Sequence, residues 1–191
     1  MKLRNPGVRG ILFMAGLLLL SAACSRPASN QPGSTPVSVS DQQTLTGRVV
    51  RIADGDTVTV LDGNNAEHRI RLQGIDAPES RQDFGAKAKK NLSQMIFDKE
   101  VTVVYYKTDQ YGRLVGKIWR DGTDINLEQI RAGMAWHYKE YEREQSTEDR
   151  EVYANAENEA WTARRGLWAD AHPIEPSKFR KEERRWRKSA K

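Results

Sequence analysis

Three segments near the start of the folded part alternate β-branched and polar residues with a period of two, as half-buried strands do. They span Leu45 to Arg51, Thr57 to Leu61 and Glu67 to Leu72. Asp62-Gly63-Asn64 supplies a turn signal between the second and third segments. We therefore predict three consecutive strands, with a turn joining the last two.

A helix is predicted next, from about Ser80 to Phe97, because apolar residues recur there at helical spacing. One face of this helix would pack on the sheet through Phe84, Ala88, Leu92, Met95 and Ile96. Two more strands are predicted at Val101 to Tyr106 and Leu114 to Arg120, and Asp121-Gly122 is a turn signal after the second.

Two further helices are predicted from capping residues. Asp124 can cap a short helix ending at Gly133, and Ser146 or Thr147 can open a longer helix ending at Gly166. The order of elements predicts an α+β domain with five short strands and about three helices. Five strands suit a small Greek-key barrel, but the pattern alone does not distinguish a barrel from an open sheet.

The first 23 residues have the order of an export signal. Basic residues without any acid precede an apolar run from Ile11 to Leu20, which is short of the about 20 residues of a membrane-spanning helix. Small residues then lead to Cys24, and Leu20 to Cys24 resembles the lipobox of bacterial lipoproteins. We expect export and a lipid anchor on Cys24, in the outer membrane if the cell has one. The alternative is a plain signal peptide with an incidental cysteine.

Composition divides the rest of the chain. Residues 24–44 are rich in Ser, Pro, Gln and Thr, which is typical of a disordered tether. Residues 45–171 suit one domain. Cys24 is the only cysteine, so no intrachain disulfide can form.

The net charge of +5 is unevenly distributed. Residues 172–191 form a basic tail with eight Lys and Arg against three Glu, and the body from Cys24 to Ala171 has a small net negative charge. Nucleic-acid affinity of the body must therefore come from a local site. The tail could add nonspecific attraction to nucleic acid or anionic lipid, or it could be a solvated or disordered segment.

Two short motifs carry the candidate chemistry. Asp54-Gly55-Asp56 alone looks like a turn, and Ile75-Asp76-Ala77-Pro78-Glu79 is likewise weak alone. If the turn between the second and third strands is tight, Asp56 lies roughly opposite Arg71, and the third strand delivers Asp76 and Glu79 just past its end. Such a cluster of carboxylates lowers stability unless a cation neutralises it. The three histidines are scattered, which argues against zinc.

Together these motifs resemble the staphylococcal nuclease family. The resemblance runs through Ala53 to Val58, Arg69 to Glu79, Thr108 to Arg113, Gly85 and Ala88, Arg131 to Gly133, and Gly166 to Trp168. It implies a five-stranded OB-fold barrel. It also implies a monomeric enzyme that hydrolyses DNA or RNA by attack of water on phosphorus and leaves 3′-phosphate ends.

The resemblance also implies roles for particular residues. Calcium would bind Asp56, Asp76 and the backbone carbonyl of Ala77, which suits its preference for hard oxygen ligands. Arg71 and Arg113 would clamp the phosphate, unless they serve only in salt bridges. Glu79 would position or deprotonate the attacking water, unless it is only a carboxylate at a helix N-terminus.

Contacts with the substrate are less completely matched. Tyr111 resembles a family tyrosine beside the phosphate, whereas Gln110 replaces a lysine often found there. A second family tyrosine corresponds to Tyr138 or Tyr141. A noncatalytic nucleic-acid or protein-binding module is the alternative to an enzyme, and the simultaneous presence of the five key acids and arginines favours the enzyme.

Overall fold

The structure is a computed structural model, and it describes residues 42–190. The predicted export signal, the lipid acceptor Cys24 and nearly all of the predicted tether lie outside the described residues. Within the described part, no helix is long and apolar enough to cross a membrane.

Five strands close into a barrel. The first three are β1 (Gln43–Ile52), β2 (Thr57–Asp62) and β3 (Glu67–Leu72), paired antiparallel in sequence order. A two-residue strand, β4 (Ile75–Asp76), follows, and then β5 (Glu100–Thr108) and β6 (Leu114–Arg120). Strand β5 pairs antiparallel with both β1 and β6. Strands β3 and β6 pair in parallel and close the barrel, which confirms the predicted OB-fold architecture.

Helices surround this barrel. Helix α1 (Gly85–Ile96) follows β4, and α2 (Ile125–Arg131) follows a short strand β7 (Thr123–Asp124). Strand β8 (Trp136–His137) pairs with β4, and α3 (Thr147–Thr162) and α4 (Pro176–Ser189) complete the described chain. Short 3-10 segments connect the later elements, at Lys139–Glu144, which is kinked at Tyr141, and at Gly166–Ala169.

The core fills the barrel and the space beneath α1 and α2. Fully buried aliphatic residues from both barrel and helices form one cluster that includes Val58, Ile70, Leu92, Ile118 and Ile130. Two predicted caps are observed. The Asp124 carboxylate accepts a hydrogen bond from the Leu127 N–H at 3.0 Å, and the Ser146 hydroxyl accepts one from the Asp149 N–H.

The first helix differs from its prediction. It begins at Gly85 rather than at Ser80, because Phe84 adopts a left-handed backbone with φ of 66°. Gln82 instead closes a turn, donating its N–H to the Glu79 carbonyl oxygen at 2.8 Å. Glu79 therefore lies in a loop, and its alternative role as a carboxylate at the helix start was wrong.

The C-terminal segment contains a helix in addition to the three predicted. Helix α4 has Pro at its first position, which suits a helix start, and packs beside the loop that precedes α1. Glu183 of α4 pairs with Arg81, and the Gln82 side chain donates to the Ile174 carbonyl oxygen. Arg180 and Arg184 both line the same groove as the predicted site residues.

Candidate active site

The predicted site residues gather at one groove of about 530 Å³ on the barrel. Strands β2 and β3, the loop after β4, the loop between β5 and β6, and helix α4 all contribute to its walls. The residues predicted from the sequence that line it are Asp56, Arg71, Ala77, Glu79, Tyr111 and Arg113. Asp76 lies beneath them and is almost fully buried.

Asp56 is held by the tight turn between β1 and β2. The Asp54 carboxylate accepts a hydrogen bond from the Asp56 N–H at 3.0 Å, which fixes the turn. The Asp56 carboxylate in turn accepts from the Thr57 hydroxyl at 3.1 Å and from the Ala77 N–H at 2.8 Å. One side chain thus connects the β1–β2 turn to the end of β4.

Arg71 lies between the two carboxylates among the predicted metal ligands. Its Nη2 is 3.2 Å from Asp56 Oδ2 and 3.1 Å from Asp76 Oδ1. Its Nη1 donates to the backbone carbonyl oxygens of Leu72 and Ile75, at 2.8 and 2.9 Å. The register places Thr57, rather than Asp56, directly opposite Arg71. Arg71 is therefore engaged in salt bridges, and these bring the two carboxylates together at one nitrogen.

Burial makes it unfavourable for all of the acids in this cluster to be charged at once. It raises the pKa of Asp76, although hydrogen bonds and charge from Arg180 and Arg71 oppose that shift. Burial and the neighbouring Asp56 charge also raise the pKa of Asp54 to about 6. Asp54 lines the groove as well, and the sequence analysis treated it only as a turn residue.

Glu79 projects from the loop between β4 and α1. Its Oε1 accepts a hydrogen bond from Arg180 Nη1 at 2.9 Å, and the same Nη1 also donates to Asp76 Oδ1. Glu79 and Asp76 therefore contact one guanidinium on α4. Arg180 was not among the predicted site residues, since a mixed-charge run of this kind is also typical of a solvated tail.

Arg113 approaches the groove from the β5–β6 loop. The Asp109 carboxylate accepts hydrogen bonds from the Tyr111 and Arg113 N–H groups and from Arg113 Nε at 2.7 Å. Partial burial works to raise the pKa of Asp109, but these hydrogen bonds outweigh it and lower the pKa. Within residues 42–190, the two terminal nitrogens of Arg113 have no hydrogen-bond acceptor. They are therefore free to bind a phosphate.

Three tyrosines border the groove. Tyr111 is 68% exposed and lies 5.5 Å from the Arg113 guanidinium. Both candidates for the second tyrosine, Tyr138 and Tyr141, are present, with ring centroids 4.9 Å apart. Tyr138 is the one nearer the acids, since its hydroxyl lies 3.5 Å from Arg180 Nη2, which also contacts Asp76. Burial and the Asp76 charge raise the pKa of Tyr138 to about 12.

Histidine takes no part in the groove. His68 pairs with Asp62, and His137 is buried against the Gln145 side chain. Among the described residues, no group of three His, Cys, Asp or Glu side chains forms a ready-made metal site. A cation at Asp56 and Asp76 would therefore need backbone carbonyl or water oxygens to complete its shell.

The described chain is thus a closed OB-fold barrel that brings paired acids and arginines into one groove. A family model described as staphylococcal nuclease homologue matches residues 69–170. The chain is 40% identical over 150 residues to an uncharacterized endonuclease of Haemophilus influenzae, covering 78% of this chain and 81% of that protein. It is 40% identical over 154 residues to a micrococcal nuclease of Shigella flexneri, covering 76% and 86%.

The chain belongs to the staphylococcal nuclease family. An uncharacterized endonuclease of Escherichia coli gives a further match, 42% identical over 144 residues, covering 75% of this chain and 88% of that protein. These relatives support a nuclease function.

The tight turn that carries Asp56 yields a stability prediction. A Cβ at Gly55 would lie 2.6 Å from Ala77 Cβ and 2.7 Å from Ala88 Cβ, so Gly55→Ala should lower the free energy of unfolding by about 1–3 kcal/mol. Gly63→Ala is the control, because nothing lies within 4 Å of its added Cβ. Urea denaturation measures both, and equal stability of the two variants would contradict the packing argument.

Proposed function

We propose that this protein is a calcium-dependent nuclease that hydrolyses phosphodiester bonds in DNA or RNA by attack of water on phosphorus. The observation that carries the proposal is the meeting of Asp56 and Asp76 at one nitrogen of Arg71, in the groove that Arg113 also faces. The nuclease relatives support the same reaction class.

The donor atoms fit calcium in kind. Asp56 and Asp76 offer hard carboxylate oxygens, and the Ala77 carbonyl follows directly in the chain. These three residues would hold the ion together with water. Bound calcium would supply a Lewis acid that stabilises charge developing on the phosphate oxygens.

The arginines provide the complementary charge. Arg113 is oriented through Nε by Asp109, which leaves its two terminal nitrogens to bind phosphate oxygens in a bidentate manner. Arg71 is fixed by two backbone carbonyls and two carboxylates, so its charge stays at the base of the groove. Preorganised charge of this kind stabilises a transition state more than a mobile side chain would.

Glu79 is the group that would orient and deprotonate the attacking water. It lies in the groove on the loop after Asp76 and contacts the same guanidinium as Asp76. Tyr111, exposed beside Arg113, would contact the substrate at the groove edge. A noncatalytic binding module would not require this complete set of acids and arginines in one groove.

Calcium dependence is tested by removing and restoring the ion. Activity of the full chain on DNA and RNA should vanish with chelator and return with calcium, and Asp56→Asn should raise the calcium concentration needed. Sites of extracellular modules work at about 10⁻⁴–10⁻³ M calcium, which sets the range to titrate. Analysis of the product ends tests the expected 3′-phosphates, and full activity in chelator would contradict the proposal.

Arg113 and Glu79 have different proposed roles, so their substitutions should change the kinetics in different ways. Arg113→Lys should lower kcat by about 10²–10³, because a point charge cannot replace the bidentate guanidinium. Glu79→Gln should also lower kcat and flatten the pH dependence that its ionisation sets, while substrate affinity changes less. Steady-state kinetics over a pH series separate the two effects. Arg164→Lys, on an exposed turn, is the control. Near-normal kcat in both groove variants would favour the noncatalytic module.

We also propose export and lipid anchoring through Cys24, supported by the order of charge, apolar run and small residues before it. Labelled fatty acid should appear on the wild-type chain, and the protein should partition with membranes. Cys24→Ser should abolish both, and Ser25→Ala is the neighbouring control. Equal membrane retention of the Cys24→Ser protein would reject the anchor.

A further inference from the structure

Helix α4 places a guanidinium directly on the proposed calcium ligand. Arg180 Nη1 is 3.0 Å from Asp76 Oδ1, and Arg180 Nη2 is 2.9 Å from Asp76 Oδ2. The same Nη1 lies 2.9 Å from Glu79 Oε1. Asp76 thus has a bidentate ion pair with a residue 104 positions later in the chain.

This contact occupies the atoms that the proposed reaction needs. Oδ1 of Asp76 accepts from both Arg71 and Arg180, and Oδ2 accepts from Arg180. A calcium ion binds its oxygen ligands at about 2.3–2.6 Å, so on Asp76 it would lie only a few ångströms from the guanidinium. Like charges that close repel strongly in a buried site. The ion and the Arg180 contact are therefore alternatives.

The contact also involves the proposed base. Glu79 Oε1 accepts a hydrogen bond from Arg180 in this arrangement, so that oxygen is occupied by the guanidinium rather than by a water molecule. Release of Arg180 would free Asp76 for the cation and Glu79 for water in one step.

Helix α4 is attached in a way that allows release. Pro176 is its buried residue, and the ion pair of Glu183 with Arg81 is exposed. Phe179 and Ile174 line a smaller cavity of about 270 Å³ rather than a filled core. The Arg180 ion pair is consequently a large part of what holds this helix against the barrel.

We propose that Arg180 is an autoinhibitory counterion that competes with the cation for Asp76, and that cation binding at Asp76 displaces it and loosens α4. This inference depends on the proposed function, since it takes Asp76 as a calcium ligand. It adds that a side chain of the protein itself competes with the ion for the Asp76 carboxylate.

The competition is tested by measuring calcium affinity. The full chain is purified in detergent, stripped with chelator and titrated with calcium chloride in a calorimeter. Arg180→Ala should bind calcium at least about tenfold more tightly than wild type, because a charge-assisted bidentate contact no longer has to break. Arg180→Lys, which keeps the charge but not the fork, should lie between the two.

Two controls separate the contact from general electrostatics. Arg184→Ala removes the same charge from the same groove without an ion pair to Asp76, and should raise calcium affinity much less. Arg185→Ala removes it from the exposed side of α4 and should change affinity less than about twofold. An equal gain in Arg184→Ala and Arg180→Ala would overturn the proposal.

Hydrogen exchange gives a readout independent of affinity. Saturating calcium should speed amide exchange in residues 178–189 of the wild type, whereas in Arg180→Ala these amides should exchange fast with or without calcium. Unchanged α4 exchange in wild type, or unchanged calcium affinity in Arg180→Ala, would reject the inference. Calcium-dependent cleavage of DNA or RNA would then still support the proposed function, whereas loss of calcium binding and cleavage in every variant would reject that function itself.

Discussion

The site depends on one buried ionic arrangement, the Arg71 guanidinium shared between Asp56 and Asp76. Two carboxylates this close and this buried would repel each other and lose hydration. Arg71 offsets that penalty with one nitrogen, and its other nitrogen is anchored on the carbonyls of Leu72 and Ile75. The β2–β3 register places Arg71 at this position. The strand pairing that builds the barrel therefore also fixes the geometry of the site. A shift by one residue would turn Arg71 to the opposite face of its strand.

The groove has an acidic wall on the barrel, with basic side chains supplied by a loop and a peripheral helix. Asp56 and Asp76 lie on strands or tight turns, and each makes hydrogen bonds that fix its carboxylate. Arg113 lies at the end of a surface loop that Asp109 braces, and Arg180 lies on a peripheral helix. On the proposed function, this division would let the peripheral arginines meet a polyanion while the proposed cation ligands stay fixed on the barrel.

Local sequence signals predicted most of the elements of the fold, whereas the family resemblance predicted much of the groove. The β6 strand matches its predicted bounds, and the caps Asp124 and Ser146 are observed, because turns and caps are set by neighbouring residues. Helix α1 was predicted to start too early, since its apolar spacing does not reveal the left-handed backbone at Phe84. Arg180 was missed for a different reason. Its partners lie more than 100 residues away, and no local pattern distinguishes a guanidinium that pairs with a buried acid from one in water.

The two guanidiniums on Asp76 differ in how firmly the fold holds them. Arg71 is 13% exposed, belongs to a central barrel strand, and has two backbone acceptors that no cation would remove. Arg180 is 29% exposed, and its hydrogen bonds go to Asp76, Glu79 and, at 3.5 Å, the Tyr138 hydroxyl. On the competition proposed above, a divalent cation at Asp76 would take away the charge that holds Arg180, whereas Arg71 would keep its carbonyl contacts. Both arginines carry the same charge, so backbone anchoring rather than charge decides which of them is displaced. A fold can in this way keep a permanent counterion for stability and add an exchangeable one that keeps the acids neutralised until a metal ion replaces it.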